Sequence, residues 1–219
     1  MSILREVFLR FLALLPVAFL AIAAPSVAAT LKLQVTDQAG KPLSDAVATL
    51  TPDSPDALAA KPPPRDHFID QKDETFLPLV EIVTAGDQVI FRNSDRTRHH
   101  VYTFSPLGSF EFLLKPNEVS TPVKLQKPGV IPVGCNIHDF MINYLFVTDS
   151  RWAGRSDEQG MVTLTDVPPG GYTVTWWHPR QRPGSAPATQ AVTVSGEQST
   201  ASQSLKVMAP PPDAEHERY

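Results

Sequence analysis

The stretch "GVIPVGCNIHDFMINYLFVTD", residues 129–149, decides how the chain is read. Its two ends alternate apolar and other residues with the period of two that marks a half-buried strand, so Ile131, Val133 and Cys135 share one face. Pro132 has no N–H for a ladder, which predicts an edge or a bulge there. Between the strands lies a short loop holding Cys135, His138 and Met141 at even spacing. Cys135 is the only cysteine in the 219 residues, so it has no partner for an internal disulfide. A thiol, an imidazole and a thioether in seven residues point to a metal ion or to a packed core, and the residues on either side decide between them.

Composition sets the frame. Hydrophobic residues make up 42% of the chain and charged residues 19%, enough apolar material for a core. The formal net charge is -4 and no basic run stands out, so nucleic acid is excluded as a partner. The 22 prolines and the scarcity of helical periodicity favour strands and loops. At the N-terminus Arg5 and Arg10 precede an apolar run from Phe11 to Ala24, and Val27-Ala28-Ala29 is a small-residue site of the A-x-A type. This predicts a secretory signal over residues 1–29, export to a bacterial periplasm, and no membrane attachment after cleavage. In an oxidising compartment a leftover cysteine is intermolecular, reactive or coordinated.

Upstream of the loop, "LPLVEIVTAGDQVIFRNSD" predicts two strands around Gly86-Asp87, and "HVYTFSP" another. "VSTPVKL" completes a set of short strands without a long helix, the pattern of a sandwich or barrel. Upstream again, "LKLQVTDQAGKPLSDAVATL" (31–50) alternates around a turn, and "DSPDALAAKPPPRD" then breaks all periodicity. Downstream, "DEQGMVTLTDVPPGGYTVTWWHP" (157–179), "TQAVTV" and "SQSLKV" give four more strands. "MAPPPDAEHERY" reads as a disordered tail.

A type 1 copper site needs one thiolate, two imidazoles and a weak axial thioether. Cys135, His138 and Met141 supply three of these, and either His99 or His100 supplies the fourth from another strand end. Thiolate and thioether suit Cu(I), and imidazole suits both oxidation states. A Cys-His-Asp nucleophile is disfavoured because Cys135, His138 and Asp139 are crowded into one segment. Zinc is disfavoured because structural sites prefer several thiolates. His178 before Pro179 reads as structural, while Trp176 and Trp177 divide between the faces of their strand and an exposed one would mark a docking or sugar-binding patch. His67 and His216, read as linker and tail, receive no role.

Two resemblances follow from these motifs. "GDQVIFRNSDRTRHHVYTF" with the Cys-x2-His-x2-Met loop resembles the cupredoxin family, whose plastocyanin-like and amicyanin-like members carry G-x-x-V-x-F-x-N, a loop, then H-N-V. The resemblance implies a Greek-key sandwich over 68–149 with one type 1 copper held by His99, Cys135, His138 and Met141. His99 is chosen because Val101 lies two positions on, and His100 stands where these proteins usually have asparagine. The flanks resemble the carboxypeptidase-regulatory-like, transthyretin-like β-sandwich, split into 30–56 and 150–208 around a linker at 57–67 and followed by a tail at 209–219. The combination resembles periplasmic proteins labelled for methylamine utilization. It implies an all-β protein with one sandwich inserted in another, a carrier of single electrons between unidentified redox partner proteins and not an enzyme. The alternatives are copper handling without redox traffic, and a carbohydrate- or surface-binding module with a secondary copper domain.

Overall fold

In the computed structural model, residues 28–54 and 63–210 are described, and they contain sixteen strands and no helix. In chain order these are β1 (Ala29–Asp37), β2 (Val47–Pro52), β3 (Asp66–Lys72), β4 (Thr75–Leu77), β5 (Val80–Thr84), β6 (Gln88–Asn93), β7 (His99–Ser105) and β8 (Gly108–Leu114). They continue as β9 (Val123–Lys124), β10 (Gly129–Cys135), β11 (Ile142–Thr148), β12 (Trp152–Arg155), β13 (Met161–Val167), β14 (Gly170–Trp177), β15 (Ala188–Val194) and β16 (Gln198–Leu205).

The strands gather around two cores. Leu31, Leu33 and Val35 form the inner face of β1, as their alternation requires. β1 is antiparallel to β13 and parallel to β16 in one sheet, and a second sheet runs β12-β2-β14-β15. Between the two sheets lie Leu50, Trp152, Leu164, Tyr172, Val174, Trp176 and Leu205. Among the described strands, β1 and β2 therefore complete a core whose other strands come about a hundred residues later. Residues 66–148 build the other core from sheets β5-β11-β10-β7-β8 and β4-β3-β6-β9, enclosing Ile69, Phe76, Phe91, Val101, Ile131, Val133, Cys135, Met141 and Leu145.

Several boundaries differ from the sequence reading. β3 begins at Asp66, inside the segment read as linker, because His67 and Ile69 point inward and β3 pairs in parallel with β6. β8 carries alternating Phe110, Phe112 and Leu114 against β7, a strand absent from the sequence expectation. "VSTPVKL" contributes only the two residues of β9. The break read after Ala29 falls inside β1, where Ala29 pairs with Val167. The remainder of the signal reading, most of the linker and the tail with His216 lie outside the described residues. Pro132 is not on an edge strand: β10 lies between β11 and β7, yet its pairing with β7 covers only Gly134 and Cys135. At Pro132 the ladder runs to β11 alone, so no missing N–H is felt.

The three tryptophans all belong to the flanking sandwich. Trp152 and Trp176 are buried. Trp177, on the other face of β14, is half-buried between Tyr144 and Phe146 of β11, with ring centroids 5.6 and 5.5 Å away. It joins the two sandwiches instead of presenting a free aromatic surface. Trp177→Ala is expected to lower stability in urea unfolding by about 1–3 kcal/mol, the value of two aromatic pairs. A change under about 0.5 kcal/mol, the ordinary surface range, would show that the contact carries nothing.

Candidate metal centre

The site is assembled by strand parity and one short loop. β7 and β10 are antiparallel neighbours with Cys135 opposite Val101, so the start of β7 lies beside the end of β10. Side chains alternate along β7, which turns His99 and Val101 inward and His100 outward. The Asn136 N–H donates to the His100 carbonyl at 2.9 Å and fixes the two strand ends together. Beyond Cys135 the chain folds back. The Met141 N–H donates to the His138 carbonyl at 3.1 Å, and the Cys135 N–H donates to the Met141 carbonyl at 3.3 Å. One closed loop thereby carries three of the four candidate ligands.

The sulfur of Cys135 lies 3.7 Å from His99 Nδ1 and 3.9 Å from His138 Nδ1. The ligand atoms of these three residues all fall within 4.8 Å of one another. A metal bonded at about 2.3 Å to sulfur and about 2.0–2.1 Å to nitrogen, with trigonal angles, leaves sulfur and nitrogen about 3.8 Å apart. The spacing fits one ion bridging a thiolate and two imidazoles. Met141 is buried in the same core, and with Cys135 it lines a cleft of about 550 Å³ alongside Tyr102, Phe104 and Ile142. His100 is not part of this group. Its Nε2 meets Glu111 Oε1 at 2.6 Å, and its Nδ1 faces the Asn136 amide nitrogen at 3.3 Å. The cross-loop contact is therefore supplied by the asparagine of the ligand loop reaching to a histidine.

A layer of residues behind the ligands escaped the sequence reading. Asp95 Oδ2 accepts a hydrogen bond from His99 Nε2 at 2.8 Å, which places the ring proton on Nε2 and leaves Nδ1 free for a metal. The same carboxylate accepts the backbone N–H of Asp73 at 2.6 Å and of Glu74 at 3.0 Å. Burial alone would raise the Asp95 carboxyl. The bonds from Glu74, His99 and Asp73 outweigh it and hold the group below the usual carboxylate range. Asn93, buried at the end of β6, fixes the connecting loop: its amide donates to the carbonyls of Thr97 and Leu114, and its Oδ1 accepts the Asp95 N–H. Asp95 stands four residues before His99, a spacing visible in "SDRTRH" but carrying no signal until the loop is folded.

His67, which the sequence reading left in the linker, is buried at the opposite end of β6. Its Nδ1 meets Glu81 at 2.6 Å and its Nε2 meets Asp87 at 2.9 Å. His178 is buried in the flanking sandwich and joins its backbone as a structural residue, its Nε2 donating to the Ser44 carbonyl at 3.0 Å.

No protein-family profile matches the chain, and no curated protein matches it. Solved structures similar to it include an amicyanin mutant in the Cu(I) form, at 19% identity and TM-score 0.35, covering 46% of this chain and 98% of that one. A purple cupredoxin from Nitrosopumilus maritimus matches at 16% identity and TM-score 0.33, over 37% of this chain and 98% of that one. A copper-containing nitrite reductase from Thermus scotoductus matches at 24% identity and TM-score 0.34, over 45% of this chain and 25% of that one.

Proposed function

We propose that the chain is a type 1 copper protein that carries single electrons between redox partner proteins in the periplasm. The observation that carries the reading is the Cys135 sulfur set 3.7 and 3.9 Å from two imidazole nitrogens, with Met141 buried in the same loop. Copper held there would supply a one-electron couple between its +1 and +2 states. The chain's own part is to keep the donors still. His99 is fixed by Asp95, and Cys135 and Met141 are fixed by the closed loop and the core, so little movement accompanies a change of charge.

The donor set fills the positions such a site uses and leaves none open for a substrate or an activated water, which is why the proposal is a carrier and not an enzyme. His138 is the donor nearest solvent. Its side chain is 16% exposed, whereas that of His99 is fully buried. Beside it Ile137 and Phe140 are 42% and 54% exposed, giving an apolar contact around the imidazole edge. Asp139, also exposed, adds one negative charge to that rim. The N-terminal apolar run followed by Val27-Ala28-Ala29 supports export.

Voltammetry of the copper-loaded protein tests the reading. A reversible one-electron wave, with Cu(I) retained against a chelator, is expected. An irreversible response together with prompt transfer of Cu(I) to an acceptor protein would replace electron carriage with copper handling.

A further inference from the structure

The hairpin joining β3 to β4 turns on Asp73 and Glu74, with φ of 53° and 55°. A two-residue turn with both central residues left-handed normally selects Asn-Gly or Asp-Gly. Glutamate bears a steric penalty in that region, and such strain persists only where surrounding structure over-determines it. Here the over-determination is visible. The two turn N–H groups are each held by one oxygen of Asp95, the carboxylate that also receives His99 Nε2–H. The turn directs the Glu74 carboxylate toward the other histidine, with Oε1 3.7 Å from His138 Nε2. That is an ion-pair distance beyond hydrogen-bond length, and Glu74 is 51% exposed.

We infer that Glu74 is a positioning residue for His138, presented by a strained turn that Asp95 clamps, so that one hairpin of the four-stranded sheet orients both imidazoles of the centre. The inference rests on the metal-site reading above and extends it to a residue outside the donor set. The physical logic is symmetrical. Asp95 holds the proton of His99 on Nε2, and the negative field of Glu74 favours the proton of His138 on Nε2. Each leaves Nδ1, the nitrogen that faces the Cys135 sulfur, as the free donor. The clamp explains why a β-carbon is tolerated at both turn positions: relaxing the turn would withdraw Glu74 and release two N–H groups from Asp95.

The test separates positioning from mere structure because the two predict opposite signs. Glu74→Gly converts the turn to Asp-Gly, the pair this turn geometry favours. It is expected to raise the melting temperature by about 2–4 °C. It is also expected to weaken binding of cobalt(II), used as the probe ion, by about tenfold. Nitrogen-15 long-range correlation spectra of the metal-free protein should show His138 mainly as the Nε2–H tautomer. In Glu74→Gly and Glu74→Ala the balance should move toward Nδ1–H. Glu74→Gln, which keeps an acceptor oxygen, should recover part of the cobalt affinity. If Glu74→Gly and Glu74→Ala leave the His138 tautomer and the cobalt affinity within twofold of the parent, the inference is wrong. So it is if Glu74→Gly loses stability and affinity together. The metal-free tautomer reads the Glu74 effect whether or not copper(II) gives an intense visible band. Absence of that band overturns the type 1 copper reading separately.

Discussion

Copper(II) added to the metal-free protein is expected to produce an intense visible band from thiolate-to-copper charge transfer, and Cys135→Ser is expected to abolish it. Cys135 is the only thiol in the chain, so no other residue can supply this transition. Its sulfur lies within 3.9 Å of both imidazole Nδ1 atoms, which leaves an ion no way to use the two histidines without meeting it. A serine hydroxyl is of similar size, so the loop bonds from Cys135 N–H and Met141 N–H should survive and the variant should fold. The two histidines of β7 give the sharper comparison. His99→Ala removes a donor on the inner face and should eliminate or strongly displace the band. His100→Asn alters a side chain that points outward to Glu111 and should keep it. Retention in His99→Ala together with loss in His100→Asn would overturn the assignment of the donors.

Much of this site could be read before folding because its chemistry is local. Cys135, His138 and Met141 fall within seven residues, and Cys135 on the buried face of β10 follows from alternation with Ile131 and Val133. The choice of His99 over His100 rests on the cupredoxin-like H-N-V pattern, and the fold supplies its physical ground, since alternation along β7 puts His99 on the buried face with Val101. The pairing of residues 29–37 with strands after residue 160 was legible for a different reason: two strands alone cannot cover a core. The supporting layer was not legible. The Asp95 carboxylate is held by backbone N–H groups of a hairpin that begins more than twenty residues before it, Glu74 sits on that same hairpin, and nothing in "DQKDET" announces a turn with two left-handed residues. His67 was misplaced because the proline-rich run before it hides the start of β3. Only the partners Glu81 and Asp87, which come from β5 and the turn after it, reveal that a strand has begun. β8 was missed although Phe110, Phe112 and Leu114 alternate, since glycine and serine at its start read as loop.

Acid is expected to unfold the flanking sandwich first, through His178. Its Nε2–H donates to the Ser44 carbonyl, and its Nδ1 accepts the Arg180 N–H at 3.0 Å. Both ring nitrogens are satisfied only in the neutral form, because protonation would set an Nδ1 proton against an N–H donor. Burial, with the Arg180 charge, pushes the imidazole down to about 4 from an ordinary 6.5. A folded value below the unfolded one means that the unfolded chain binds the proton first. The contribution is whole above about pH 6.5 and is lost as pH falls toward 4, about 3 kcal/mol over that range. His67 runs the other way. Burial and Arg65 would lower it, but its bonds to Glu81 and Asp87 outweigh them and raise it above the ordinary value. Only the imidazolium can donate from both nitrogens, so its contribution is whole below pH 6.5 and is lost as pH rises through the raised value. Since Trp152, Trp176 and Trp177 all lie in the flanking sandwich, tryptophan emission during urea unfolding reports the first effect. Between pH 7 and pH 4 the parent should lose about 3 kcal/mol more than His178→Gln, whose amide can donate to Ser44 and accept from Arg180 without titrating. Equal losses in the two proteins would show that His178 does not govern acid stability.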